Sequence, residues 1–391
     1  MLNIKQETSY TNDHIWDRYV SANPRATLYH LCAWRRIINR VYGHDVYYLV
    51  AAGDDRRLRV CRLEELDGKV PGNGHADDDN IRGVLPLVHL RSFVFGNDLI
   101  SVPFFDMGGI LADDAHVESA LLNEALQLGR ILNASTIQLR QTSSLISMAK
   151  SGVHGSTSST SCIRPNLEYS TQIALRKARM LLDLPTSSDA LMDSFKSKLR
   201  SQIRKPIKEG LTAAIGRLDL LDDFYEVFCI NMRDLGSPVH SKAFIREVLE
   251  NFPDHSHICI VHGQGRPLAG SLIIGFKDTL HNPWASSLRD YSKLSPNMLL
   301  YWTMLKFACD NGYRRFDFGR SSIDESTYRF KEQWGAGPQT LHWHHITCKG
   351  NLPCSEKSDK SRFDAAIRIW QKFPVPLTKI IGPPVRKYIG L

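Results

Sequence analysis

Residues 316–335 read Phe316-Asp-Phe-Gly-Arg-Ser-Ser-Ile-Asp-Glu-Ser-Thr-Tyr-Arg-Phe-Lys-Glu-Gln-Trp-Gly335. The alternation of Phe316, Asp317 and Phe318 predicts a short strand with one face in a core, and Gly319 frees the backbone to turn where Arg320 appears. A charge is thereby placed at a strand end. Within one loop's length, Tyr328, Arg329, Phe330, Lys331 and Trp334 bring a second aromatic and basic cluster up to Gly335. Two readings fit this stretch: cations beside aromatic walls form a pocket for an anion, or Asp317 and Arg320 make a structural ion pair, which imitates a site.

Working outward, Pro296 opens a long apolar helix over Asn297–Asn311, with Gly312 as its stop. Strand signals at Ile258–Val261, Leu268–Phe276, Trp284–Leu288 and Thr340–Thr347 surround it, and Asp222–Met232 predicts a helix with an aromatic face of Phe224, Tyr225 and Phe228. The most basic helix is expected over Asp189–Glu209. There Phe195, Leu199, Ile203 and Ile207 recur every four residues beside a parallel stripe of Lys196, Arg200, Arg204 and Lys208. One stripe packs and its neighbour presents positive charge, as a solvated face or as a rim that attracts phosphate. Pro206 is expected to kink the helix near its end.

In the first half, Trp34–Tyr42 has helical spacing with Gly43 as its stop. Strands are expected at Val46–Ala51, Val60–Leu63 and Val84–Leu90, where Pro86 implies an edge or a bulge. An acidic, Gly-containing insertion spans 64–80. Leu99–Ile110 carries Gly108-Gly109, a tight turn or a close backbone approach. His116–Leu132 predicts an amphipathic helix, Ile137–Arg140 a strand, 142–166 a Ser/Thr/Gly-rich excursion, and Leu167–Leu175 a closing strand. The pattern as a whole is mixed α/β (α+β) in two domains, 1–180 and 181–348, with a tail over 349–391. The tail holds a short basic amphipathic helix (Phe363, Ile367, Trp370, Phe373) that suits either its own domain or an anionic membrane surface.

Composition limits the partners. A formal charge of +8 and an isoelectric point near 9.0 favour anionic partners without choosing among them. The eight cysteines are scattered, with no Cys-x-x-Cys pair, which fits free thiols in a reducing compartment. The polar start and the lack of a long apolar run predict a cytoplasmic protein, soluble or peripheral at the inner membrane. No phosphate-binding P-loop, dinucleotide Gly-x-Gly-x-x-Gly, Gly-x-Ser-x-Gly elbow or His-Glu-x-x-His pair is present. His342, His344, His345 and Cys348 invite a metal, but strand alternation splits the histidines between two faces, so no metal is expected. No DNA-binding signature accompanies the basic helix.

Several further stretches carry a resemblance. Arg200-Ser-Gln-Ile-Arg204-Lys, Asp223-Phe-Tyr, Asn231-Met-Arg-Asp-Leu-Gly-Ser-Pro-Val, Trp284-Ala-Ser-Ser-Leu-Arg289, Pro296-Asn-Met-Leu-Leu-Tyr-Trp302, Phe316-Asp-Phe-Gly-Arg320-Ser and Tyr328-Arg-Phe-Lys-Glu-Gln-Trp-Gly335 together resemble the FemAB-like proteins associated with bacterial exopolysaccharide and PEP-CTERM/exosortase systems. Gly83-Val-Leu-Pro-Leu and Phe104-Phe-Asp-Met-Gly-Gly-Ile resemble the same family, so the likeness spans nearly the whole chain.

The resemblance implies two tandem acyltransferase domains of the GNAT type and transfer of an acyl or aminoacyl group to an amine of a cell-envelope or exopolysaccharide precursor. The partners it implies are an anionic donor, either acyl-CoA or aminoacyl-tRNA, and an amine acceptor, with no covalently bound cofactor. In the wider family a Phe-Lys pair late in the second domain contacts acidic substrate, and Lys331 stands at that position. Asp317 is the expected base or amine-orienting group, and Lys331 and Arg320 the expected phosphate or oxyanion partners. Arg200 and Arg204 would form an outer basic rim, Trp284, Tyr301 and Tyr328 the walls, and Arg233 and Arg289 further substrate contacts. Gln333-Trp-Gly-Ala-Gly337 lacks the spacing of an acetyl-CoA pyrophosphate loop, and the long helical arm of some Fem enzymes is absent. The competing expectation is a non-catalytic GNAT-fold protein that binds an anionic glycan or lipid-linked precursor.

Overall fold

A computed structural model of the chain describes residues 12–53, 58–63, 80–145, 170–174, 177–323, 325–347 and 364–390. The expected insertions near 64–80 and 142–166 lie almost wholly outside these residues, as do Phe363, Cys162, Cys348 and Cys354. The five described cysteines are free, buried thiols. The chain is mixed α/β and divides into two units, 1–175 with 341–352 and 390–391, and 176–340 with 353–389.

The first unit opens with α1 (Asp13–Ala22) and α2 (Ala33–Tyr42), whose buried faces carry Trp16, Val20, Trp34, Ile37 and Ile38. Gly43 ends α2 at φ +69°, the left-handed cap that a residue without Cβ takes most readily. Strands β1 (Asp45–Ala52), β2 (Arg59–Arg62), β3 (Ile81–Ser92) and β4 (Gly96–Ile100) are antiparallel, with β1 lying between β2 and β3, and the two-residue β5 (Leu111–Ala112) pairs with β3. Next come α3 (Ala115–Ile131), β6 (Thr136–Gln141) and β7 (Ser170–Ala174). Asp114 caps α3 by accepting the His116 and Val117 amides, and the helix buries Val117, Leu121, Leu122, Ala125 and Leu126 in this unit's core.

The sheet runs β2-β1-β3-β4-β6, then a return strand, His342–Thr347, then β7. Two expectations change here. The strand expected over Thr340–Thr347 forms, but it pairs with β6 and β7 in the first sheet instead of joining the second. Alternation announces a strand and is silent on its sheet. Pro86, read as an edge or bulge, instead sits in an interior strand opposite Tyr48. It is tolerated because β5 covers β3 only at residues 83–84 and β4 only from Val88, which leaves the second edge uncovered at Pro86.

The second unit starts with β8 (Lys177–Asp183), α4 (Ser188–Ser194) and α5 (Ser197–Lys208). The single basic helix expected over 189–209 is thus two, broken where Phe195 and Lys196 turn extended. Phe195, Leu199 and Ile203 are buried as the stripe required, whereas Ile207, beside Pro206 in the last turn, is exposed. Strand β9 (Thr212–Gly216), α6 (Leu221–Asp234), α7 (Lys242–Asn251), β10 (Ser256–Gly263), β11 (Arg266–Phe276) and β12 (Thr279–Ser287) follow. Then come α8 (Pro296–Asp310), β13 (Arg315–Ser322), α9 (Ser326–Glu332) and β14 (Gly337–Thr340). The sheet order is β14-β8-β13-β12-β11-β10-β9.

Both sheets follow one plan. Four antiparallel strands are followed by a crossover helix that returns the chain parallel to the fourth: β4 to β6 through α3, and β12 to β13 through α8; β9 to β12 run as a meander, whereas in the first sheet β1 lies between β2 and β3. Helix α8 buries Met298, Leu299, Leu300, Tyr301, Met304 and Leu305 nearly all round, as a helix at the centre of a core must. The tail, helical at 364–370 and in α10 (Val375–Arg386), packs on the loop after α6. Gly236 at φ +75° faces Ile367, Gly382 faces Val239, Arg233 donates to the Phe373 carbonyl, and buried Arg386 donates to His240. No described helix is long and apolar enough to cross a membrane.

Candidate active site

In each sheet the one parallel pair is short. Strands β12 and β13 meet at Thr279–Arg315, Leu280–Phe316 and His281–Asp317. Beyond that rung, β12 continues along β11 to Ser287 and β13 continues along β8 to Ser322, and among the described residues no further rung joins them. The strands fork, and their facing backbone edges open a wedge.

Charge is concentrated at the fork. Asp317 is almost fully buried; one carboxylate oxygen accepts from Arg179 Nε at 2.7 Å and His281 Nδ1 at 3.1 Å, and the other accepts the Gly319 amide at 2.8 Å. Burial alone would raise its pKa, but the Arg179 guanidinium and His281 hold the carboxyl well below the usual carboxylate range. Burial pushes the His281 imidazole down despite the stabilising hydrogen bond to Asp317, so a neutral ring donates through Nδ1. Of the two roles expected of Asp317, base or orienting group, this geometry favours the second. A carboxylate that stays ionised and already accepts three donors is a poor proton acceptor, and it acts by orienting His281 and Gly319.

Gly319 lies just past the fork at φ +74°, and a Cβ there would stand 3.1 Å from the Asn282 carbonyl oxygen on the opposite prong. A side chain would enter the wedge. Lys331, buried on α9, donates to the carbonyls of Gly319 at 3.0 Å and Arg320 at 2.8 Å, tying the open end of β13 to the helix. Tyr301 stacks on Phe318 with centroids 5.5 Å apart and meets Phe330 edge-on at 5.0 Å; burial raises its hydroxyl pKa to about 12, against the pull of the Asn282 amide. Ser271 Oγ donates to Asn282 Oδ1 at 2.7 Å.

The structure therefore brings Asp317, Arg320, Tyr301 and Lys331 together around the fork. Tyr328 packs half-buried against the same core. Trp284 is on the β12 prong with its ring against His240 and Phe244, while the others lie elsewhere in the unit: Arg233 on Asp234 and the tail, Arg289 exposed after β12, and Arg200 and Arg204 on α5. None of these ten residues lines the groove of about 890 Å³ walled by Leu184, Phe195, Lys196, Lys198, Arg329 and Trp334. Sequence reasoning missed Arg179 and His281. Their pairing with Asp317 depends on strand register across long separations, which no local pattern in the sequence shows. Among the described residues no cluster of His, Cys, Asp or Glu is arranged to hold a metal.

The equivalent fork of the first unit is filled. Past Ile100–Gln138 the chain leaves β4 and folds residues 101–110 into the gap. Ser101 bonds to the Gln138 carbonyl and accepts the Arg140 amide, Gly109 bonds to the Arg140 carbonyl, Arg140 donates to the Phe105 carbonyl, and Trp343 donates to that of Asp106. Val102 and Phe104 adopt positive φ (43° and 77°) to make this fit, a cost borne because their side chains are buried. Gly108 and Gly109 serve close approach: added Cβ atoms would meet Val102 at 2.9 Å and Gln141 at 2.7 Å. Among the described residues only the second unit's fork stands open.

Residues 194–332, which span the open fork, match the family described as acetyltransferase (GNAT) domain. A lipid II:glycine glycyltransferase from Staphylococcus haemolyticus (strain JCSC1435) is 27% identical over 101 residues, 24% of this chain and 24% of that protein, so the chain spans about a quarter of the length of that relative. The crystal structure of FemX superposes with a TM-score of 0.59 at 15% identity, covering 86% of this chain and 96% of that one. A tandem GNAT protein from the clavulanic acid biosynthesis pathway has a TM-score of 0.49 at 11% identity over 87% and 96% of the two chains. The fold is two tandem GNAT-like domains, as in FemX.

Proposed function

We propose that this chain is an N-acyltransferase or aminoacyltransferase that moves an acyl group to the amine of a cell-envelope or exopolysaccharide precursor, with the reaction in the second unit's fork. The observation that carries the reading is the open wedge after His281–Asp317, set against the filled wedge after Ile100–Gln138. Two strand edges with no ladder between them offer backbone donors and acceptors to an extended, amide- or ester-bearing donor, as added strands are bound elsewhere. The glycyltransferase relative and the GNAT-matching segment support transfer to an amine.

The chemistry asks for little covalent help. The acceptor amine attacks the donor carbonyl, a tetrahedral intermediate forms, and the leaving thiol or hydroxyl departs as the amine loses a proton. Arg320, half-buried on the open end of β13, supplies positive charge to the developing oxyanion. Lys331 sets the position of that prong by gripping two of its carbonyls. Neutral His281, aimed by Asp317, fixes the base of the wedge. The basic stripe on α5 serves the anionic part of a coenzyme or tRNA donor by long-range attraction.

The test uses the full chain with [14C]acetyl-CoA or [14C]glycyl-tRNA as donor and a lipid-linked precursor fraction as acceptor. Label should pass to the acceptor from one donor. Gly319→Val, which puts a branched side chain into the wedge, should lower transfer at least tenfold, the cost of roughly 1.4 kcal/mol of lost transition-state binding. Undiminished transfer by a folded Gly319→Val chain would refute the fork as the site. The competing reading, a non-catalytic binder, is favoured by the structural engagement of both Asp317 and Lys331; it predicts that precursor binds while neither donor is consumed.

A further inference from the structure

The turn between β3 and β4 is unlike other turns in the chain. Its sequence, Arg91-Ser-Phe-Val-Phe-Gly96, places three apolar residues at the tip of a hairpin. Phe93 is 109% exposed, Val94 83% and Phe95 40%; beside them at the end of α3, Ile131 is 72% exposed. Asn97, one residue past the turn, donates to the Leu132 and Asn133 carbonyls, which holds the hairpin beside the end of α3. Single exposed apolar residues are ordinary, but a cluster at an exposed hairpin tip marks an interaction surface.

The form of the tip selects the partner. Its side chains stand in solvent at the end of a hairpin, so it enters another medium more readily than it receives a ligand. Ser92 Oγ accepts the Val94 and Phe95 amides at 3.2 and 3.3 Å, so two backbone donors that water would otherwise satisfy are already bonded. That is the condition for backbone to enter an apolar phase. Behind the tip the hairpin is firmly laddered, Ser92 to Gly96 and Arg91 to Asn97. Exposed Arg91 and Arg130 flank the apolar residues, and Asp98, the carboxylate within the hairpin, is turned onto the Thr136 hydroxyl, with its pKa raised by burial. Aromatic residues at the tip with arginines at the collar are the arrangement that seats at the headgroup level of an anionic bilayer, and the net charge of +8 acts in the same sense.

We infer that the Phe93-Val94-Phe95 tip, with Ile131, is a membrane-interface anchor that docks the first unit on an anionic lipid bilayer. This inference does not depend on the transfer reaction. It fits an enzyme whose acceptor is carried on a lipid, and it would hold equally for a protein that only binds such an acceptor.

The experiment is co-sedimentation of the full chain with vesicles of phosphatidylcholine containing about 30% phosphatidylglycerol, compared with phosphatidylcholine alone. The native chain should sediment with the anionic vesicles and much less with the neutral ones. Phe93→Ser with Phe95→Ser should weaken binding roughly tenfold or more while changing the thermal midpoint little, because neither ring is among the buried core residues. Four outcomes would overturn the inference: no binding by the native chain; equal binding by the double variant; loss through Ile380→Ser in the tail with the tip variant unaffected; or a concentration-dependent dimer of the native chain that the tip variant abolishes, which would assign the patch to a second copy.

Discussion

Replacing Asp317 with Asn tests whether this carboxylate is a structural anion. The native side chain is 2% exposed and its Arg179 partner 10%, so neither charge is screened to any extent by solvent. Neutralising Asp317 leaves the Arg179 guanidinium in the interior without its counter-charge and gives His281 and the Gly319 amide a weaker acceptor. Breaking a buried pair from one side costs about 3–5 kcal/mol. The retained amide oxygen argues for the lower end, so we expect about 3 kcal/mol. Urea unfolding followed by tryptophan fluorescence would report it, since Trp334 lies buried in the same core. Pairing Asp317→Asn with Arg179→Met should recover at least ~2 kcal/mol relative to the sum of the single changes, because no buried charge then remains. The pH dependence has a definite sign. The folded pKa is depressed, so the stabilisation is complete above the unfolded carboxylate pKa near 4 and drains as pH falls below it; the variant should lose that acid limb. A loss under about 1 kcal/mol, or strict additivity of the two changes, would refute the structural role. Loss of transfer with full stability would restore Asp317 as a base.

Further outcomes follow from other buried groups. His344 is fully buried with neither ring nitrogen hydrogen-bonded, and burial lowers its pKa to about 3; being neutral when folded, it costs stability as pH falls below about 6.5, roughly 2 kcal/mol by pH 5. His344→Leu should remove that portion of the acid sensitivity, and an identical slope in native and variant urea midpoints would contradict the assignment. Lys331→Met keeps the aliphatic stem but abandons the Gly319 and Arg320 carbonyls, for a loss of about 1.5–3 kcal/mol in urea melts, whereas Lys331→Arg should recover part of it; equal stability of all three would deny the clamp. Gly236→Ala combines a φ of +75° with a Cβ 2.4 Å from Ile367, so the tail should come away and be cleaved by limited proteolysis many times faster; an unchanged cleavage rate would show that the contact is not what holds it.

How much of this could be read in advance depends on the range of the interaction. The strand around Phe316, the long helix after Pro296 and the buried stripe Phe195-Leu199-Ile203 are local patterns, and the structure forms each of them. The tandem GNAT-like architecture came from motifs, and the superposition on FemX shares it. Most of the readings that changed involve the choice of a distant partner, the break of the basic helix at Phe195 and Lys196 being a local one. Asp317 is read as a site group or as the partner of nearby Arg320 until β8 and β12 bring Arg179 and His281 to it from 138 and 36 residues away. Pro86 looks like an edge until β4 and β5 are seen to leave room on either side of it. Ile207 satisfies a four-residue period and is nevertheless exposed, because the period describes the helix and not the extent of what it packs against.

The route of the chain has a consequence for its synthesis. The return strand 342–347 is inserted between β6 and β7 of the first sheet, although the ribosome makes it after the whole second sheet. Until it arrives, β6 and β7 have no strand between them, and two hydrogen-bonding edges face a vacancy that any extended chain could occupy. The first unit therefore cannot finish folding in the order it is made. It must wait, partly assembled, for roughly half the protein to emerge, and that interval is where misassembly and chaperone dependence should concentrate. A gene fragment encoding residues 1–175 would encode a sheet with its penultimate strand missing, and should yield aggregate instead of a small domain.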